Sequence, residues 1–110
     1  MILFFKTNVQ KIIAVQLNGE LKEAAIHKLN WLLNGERLAE TELTGFFIGP
    51  RATMVSPWST NAVEITQNMA ITNIVRMEEF KIAKTTTAIY DPMLELLYTE
   101  LNQDLFTINI

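Results

Sequence analysis

The chain has 110 residues, 49% of them hydrophobic and 19% charged, with a net charge of −3 at pH 7. That length suits one domain able to withdraw about two-thirds of its unfolded surface from water, and the acidic balance argues against a partner recognised through a phosphate backbone, so no nucleic acid is expected. With no cysteine, disulfides, thiolate metal ligation and thiol nucleophiles are excluded by inventory.

The opening "MILFFKTNVQKIIAVQL" is apolar, but Lys6, Asn8, Gln10 and Lys11 interrupt it well short of the ~18 apolar residues of a spanning helix. It also lacks the basic start and cleavage site of a signal peptide. A soluble, cytoplasmic chain with no membrane partner is expected. "ILFF" and "KIIAVQL" read as short strands, the second ended by Asn18-Gly19. In "ELKEAAIHKLNWLLNG", Leu21, Ala25, Leu29, Leu32 and Leu33 recur at three and four and predict a helix. Asn34-Gly35 supplies its left-handed C-cap.

"ERLAETELTG" reads as loop, "FFIGP" as a short strand ended by proline, and "ATMVSP" as another strand. A second helix is expected in "STNAVEITQNM", capped by Asn61 with Glu64 as capping-box partner and Ala62, Ile65 and Met69 on its apolar face. "NIVRMEEFKIAK" is strand-like with a slip in phase. Val75 and Met77 share one parity, Phe80 and Ile82 the other, which predicts a bulge or tight turn near Glu78-Glu79. Asp91 and Pro92 form a cap and first position for a final helix with Met93, Leu97, Leu101 and Leu105 as its buried stripe. The closing "FTINI" resembles a chain cut as it enters another element.

The expected order is therefore β-α-β followed by β-α-β-α. It predicts an α+β domain over residues 1–110, with two pseudo-repeated halves of about 1–50 and 51–110. Antiparallel sheet, in one piece or two, would be covered by helices.

Catalytic chemistry is hard to assemble from these residues. The single histidine, His27, lies mid-helix among polar neighbours with no second histidine to share a metal, and reads as a solvated residue. The stretch from Gly45 to Gly49 has neither the spacing of a dinucleotide fingerprint nor the lysine of a phosphate loop. Glu78 and Glu79 are adjacent, so a strand would send them to opposite faces as surface or bulge residues. Glu20, Glu23, Lys22 and Lys28 make a solvated helix face. Met54, Met69, Met77 and Met93 are read as core residues rather than ligands. Accordingly no catalytic, cofactor-binding or metal residue is assigned.

The segment "GPRATMVSPWSTNAVEITQNM" (Gly49 to Met69) concentrates the unusual residues. Arg51 follows a Gly-Pro turn, and Ser56-Pro57-Trp58-Ser59 breaks a strand before a helix whose free N-terminus could receive an anion or a carboxylate. Two readings stand open. Either Ser59, Thr60 and Asn61 cap while Trp58 fills a gap between layers, or these side chains face a partner.

This segment, with "NIVRMEEF" after it, resembles the N-terminal domain of the large, single-chain phosphoribosylformylglycinamidine synthases. Their pattern G/T-P-R-x-x-x-x-S-P-W-S-x-x-A-x-x-I-x-x-N, followed by an R-x-E strand and an acidic residue opening a final helix with methionine soon after, is matched position by position. The matching positions are Gly49, Pro50, Arg51, Ser56, Pro57, Trp58, Ser59, Ala62, Ile65, Asn68, Arg76, Glu78, Asp91 and Met93. The first forty or so residues match only in pattern, and Pro92 stands where many relatives are expected to have arginine.

The resemblance implies a purine-biosynthetic ligase that takes ammonia from glutamine and, with ATP and magnesium, makes formylglycinamidine ribonucleotide. The ATP and magnesium would belong to the parent enzyme and not to this fragment, which is expected to be inactive. Its implied form is a fused pair of the small dimeric subunit of the split synthases. Its implied partners are the synthetase and glutaminase domains of the same parent chain, held in register so that ammonia passes between them. Arg51, Ser56, Trp58, Ser59 and Asn61 are the expected interdomain docking residues. Oligomers of the fragment could be truncation artefacts. The alternative is a free-standing small α/β module that binds a ligand or regulates a partner.

Overall fold

The computed structural model describes residues 1–85 and 89–108. The elements run β1 (Ile2–Thr7), β2 (Lys11–Leu17), α1 (Glu23–Leu33), β3 (Gly35–Arg37), β4 (Leu43–Pro50), α2 (Pro57–Asn68), β5 (Ile74–Ala83) and β6 (Glu95–Leu101). Every strand pairing is antiparallel, and together they make one six-stranded sheet in the order β3-β1-β2-β5-β4-β6. The α+β class and antiparallel sheet match the expectation, and the sheet is continuous.

The apolar runs of β1 and β2 do not alternate with polar residues because both faces of the sheet are covered. On one face Leu3, Phe5, Ile13, Val15 and Met77 pack under Ile26 and Leu29 of α1 and Ala62 and Val63 of α2. On the other, Phe4, Ile12, Ala14, Phe47 and Phe80 lie under Leu105 and Phe106, from the segment after β6. That segment crosses the sheet from its last strand back to β1. There the Gln103 amide takes the role of a strand partner, its Nε2 donating to the Ile2 carbonyl (2.9 Å) and its Oε1 accepting from the Ile2 amide (2.7 Å).

α1 ends as its sequence predicts. Asn34 is left-handed (φ 54°), and its N–H donates back to the carbonyls of Asn30 and Trp31. Gly35 then enters β3 so close to β1 that a Cβ would stand 2.4 Å from the Lys6 carbonyl oxygen.

Five expectations are corrected. The polar stretch "ERLAETELTG" contains β3 and the first residues of β4, because β1 offers its free edge to Gly35–Arg37. "ATMVSP" is a turn and not a strand: Met54 N–H donates to the Arg51 carbonyl (3.0 Å), and β5 has no strand on its β4 side at that point. α2 begins at Pro57 with Ser56 as its cap, so Asn61 is an exposed residue inside the helix. The phase slip in β5 is a bulge at Val75, where Gln16 pairs with Arg76 but Leu17 pairs with Ile74. Past the bulge the strand runs unbroken through Glu78 and Glu79, and the two parities feed the two cores, Met77 to the helices and Phe80 to the opposite face.

The fifth correction is the final helix, which is β6. Asp91 begins a single turn, its carbonyl accepting from Leu94 and Glu95 and its Oδ1 from Met93 N–H, and the chain then leaves that turn to pair with β4. The four-residue leucine spacing is real, yet "LLYT" also suits an edge strand, and pairing with β4 decides between them. The last two residues of "FTINI" lie outside the described residues.

The β2–β5 seam divides the sheet into three strands with α1 and three strands with α2. The connections on the two sides differ. α1 links β2 at the seam to β3 at the edge, whereas α2 links β4 to β5 at the seam. The observed order is thus ββαββαββ, not β-α-β followed by β-α-β-α.

Gly49 lies against the Phe80 ring, where a Cβ would stand 2.2 Å from Cδ2. Gly49→Ala is expected to lower stability by about 1–3 kcal/mol through overpacking, measured by denaturant unfolding, and Phe80→Leu should lessen the added penalty in a double-mutant cycle.

Candidate functional site

β4 pairs with β5 only from Phe46 to Ile48, and beyond that point the two strands separate. Residues 51–56 and the N-terminus of α2 fill the opening. Arg76 and Glu78 stand on β5 at its edge, two residues apart and therefore on one face. Both are buried, and Arg76 Nε donates to Glu78 Oε2 at 2.8 Å.

The other polar atoms of the pair are hydrogen-bonded as well. Arg76 Nη1 donates to the Ala52 carbonyl (2.7 Å), and Nη2 to the carbonyls of Arg51 and Met54 (both 3.1 Å). Its guanidinium carbon lies 4.3 Å from the centre of the Phe106 ring, a favourable approach of a cation to a π face. Glu78 accepts from both the backbone N–H and the hydroxyl of Ser56.

While its O–H donates a hydrogen bond to Glu78, the Ser56 hydroxyl oxygen accepts from Ser59 N–H (3.0 Å) and so caps α2. Pro57 occupies the first turn, where its missing N–H leaves nothing unsatisfied. One turn later the Ser59 hydroxyl accepts from Met77 N–H (3.0 Å), which β4 would have satisfied had it continued alongside. Ion pair, turn, cap and strand edge therefore form one chain of hydrogen bonds from Arg76 through Glu78, Ser56 and Ser59 to Met77.

Arg51 ties the turn to the β6 side, its backbone N–H donating to the Leu94 carbonyl (3.3 Å) and its guanidinium to the Pro92 carbonyl. Tyr98 closes the same corner, its hydroxyl donating to the Pro50 carbonyl (2.7 Å) and its ring meeting Phe80 edge-on. Burial pushes the Tyr98 hydroxyl above its ordinary value of 10.0, against the pull of Arg76 and Arg51.

Above this frame the surface is apolar. Met54, Val55, Trp58 and Leu94 are all exposed around a groove of about 370 Å³. Trp58, 39% exposed, also borders a second cleft of about 330 Å³ between the helices, with Asn61 and Ile65 on its wall and Met77 among its lining residues.

The five expected docking residues thus divide by position. Trp58 and Asn61 stand on the surface, while Arg51 and Ser56 are half-buried in the frame. Ser59, 1% exposed, is wholly interior and supports the surface without contributing to it. Glu78 is an interior ion-pair partner and not the expected surface or bulge residue, whereas Glu79 does lie on the other side and meets Lys11 at 2.9 Å. His27 is exposed on α1, 3.8 Å from Glu23. Met77 and Met69 belong to the core, but Met54 and Met93 are exposed. Val55 and Leu94 are not singled out in the sequence, and Met54 is read there as core; what marks all three is their place near the Ser-Pro and Asp-Pro breaks, where an apolar residue has no strand face to join.

The family model described as "Formylglycinamide ribonucleotide amidotransferase N-terminal" matches residues 10–106. The matched span includes the whole of this network.

Removing one partner of a buried ion pair leaves the other charged and unpaired, so Arg76→Met or Glu78→Gln is expected to cost about 3–5 kcal/mol. In urea unfolding the double variant should cost clearly less than the two single losses added together. A second expectation concerns pH. Because burial raises the Tyr98 pKa in the fold, the unfolded chain ionises first, so the contribution is complete below pH 10.0 and is lost as pH rises above it. Stability measured across that range should fall less steeply in Tyr98→Phe.

Proposed function

The chain belongs to the formylglycinamide ribonucleotide amidotransferase N-terminal family, and from that premise we propose that it serves as a docking domain of a glutamine-dependent ligase. In this reading it performs no chemistry of its own. It holds the synthetase and glutaminase parts of the parent enzyme in register, so that ammonia released from glutamine reaches formylglycinamide ribonucleotide without escaping to water. ATP and magnesium act elsewhere in that enzyme.

The observation that carries the reading is the use made of the motif residues. Arg51, Ser56, Ser59, Arg76 and Glu78 are spent on fixing one turn and one helix start. That frame leaves Trp58, Met54, Val55 and Leu94 exposed around a groove. An aromatic anchor amid apolar side chains on a rigid support is the composition of an interface centre. The three-plus-three layout across the β2–β5 seam supports the further reading of a fused pair of small subunits, although the helix connections differ between the sides.

In the full-length enzyme, Trp58→Ala is expected to weaken interdomain contact by roughly 2 kcal/mol. Glutamine-dependent synthesis should fall while synthesis from added ammonia is retained. Unchanged glutamine-dependent activity, or equal loss with both nitrogen donors, would contradict the docking role.

A further inference from the structure

The two edges of the sheet are unlike. β3, at one end, is three residues long and carries Glu36 and Arg37, the short and charged form that discourages further pairing. β6, at the other, is seven residues long, and between Glu95 and Glu100 its edge reads Leu96, Leu97, Tyr98, Thr99, with neither charge nor proline. Its outer side has no strand partner among the described residues.

Carboxylates predominate along this edge. Asp91, Glu95, Glu100 and Asp104 fall in or beside β6, and the sequence holds no lysine, arginine or histidine from residue 85 to 110. The nearby cations are Arg51, engaged by the Pro92 carbonyl, and Lys81, on the wall of the groove that also includes Leu94 and Glu95. A second copy of β6 is a poor match for this pattern. Antiparallel self-pairing centred on the uncharged stretch sets Glu95 directly opposite the partner's Glu100, and like charges so placed repel.

The geometry points to β6 as the acceptor of an extended, basic segment of another polypeptide, added to the sheet as an antiparallel seventh strand. The open backbone of β6 supplies the main-chain hydrogen bonds, and Glu95 and Glu100 select for cations five residues apart. Tyr98 and Leu101, three residues apart, both pack in the core on the Phe80 side, so the alternation along β6 slips between them, and the incoming strand is specified by its two basic residues five apart. Glu95 also lines the groove beside Trp58, but the strand edge is read from its own backbone and charge, and neither reading depends on the other.

The test uses the 110-residue chain with two capped hexapeptides, KTVTVK and its acidic counterpart ETVTVE, followed by amide hydrogen exchange at Leu96 to Thr99. KTVTVK should slow exchange there, ETVTVE should not, and raising salt from 0.05 to 0.5 M should weaken the effect at least about threefold through screening. Glu95→Lys with Glu100→Lys should reverse the preference, and the milder Glu100→Gln alone should reduce it. No protection by KTVTVK, equal protection by both peptides, or protection without peptide that rises with chain concentration would overturn the proposal. The last result would assign the edge to a second copy.

Discussion

Burying a guanidinium and a carboxylate removes two ions from water at a penalty of several kcal/mol each, and the gain is kept only when geometry and hydrogen bonding are complete. Arg76 and Glu78 meet that condition by recruiting a turn. Three carbonyls from residues 51, 52 and 54 receive the guanidinium, and the Ser56 amide and hydroxyl receive the carboxylate. The course of the chain from β4 into α2 follows from this demand. A turn placed elsewhere would leave an uncompensated charge in the interior. Ser59 extends the same logic to the strand edge, taking the Met77 amide at the point where β4 has moved away.

The exposed apolar surface around Trp58, where docking is proposed, is a by-product of that frame and is held in place by it. Trp58 follows the capping serine and proline at the start of α2, so its position is set by the cap, the cap by Glu78, and Glu78 by Arg76. The β6 corner is tied in through Arg51 to Pro92 and Tyr98 to Pro50. A side chain so supported loses little freedom on meeting a partner, which favours binding.

Much of the local structure is legible in the sequence where one signal stands alone. The runs in β1 and β2, the leucine spacing of α1 and the Asn34 cap each have one reading, and the structure follows it. The misreadings occur where two signals compete. Asp91-Pro92 announces a helix, and Met93, Leu97 and Leu101 keep its period, but the edge of β4 offers a partner that no local pattern encodes. Ser56 looked like the end of a strand because the residues before it are apolar, and that concealed it as the cap. The Arg76–Glu78 pair was visible only as R-x-E. Its same-face spacing on a strand between Ile74 and Phe80 was the available signal, but the carbonyls that make burial tolerable come from more than twenty residues away. Of the five residues expected to dock, exposure separates Trp58 from Ser59, and exposure depends on the fold.

The most direct measurement is ligase activity of the parent enzyme lacking residues 1–110, with glutamine or free ammonia as donor, before and after this chain is added. A docking and coupling domain predicts synthesis from ammonia alone, with glutamine-dependent synthesis restored by the added chain. Normal glutamine-dependent synthesis in the truncated enzyme without the added chain would contradict the account.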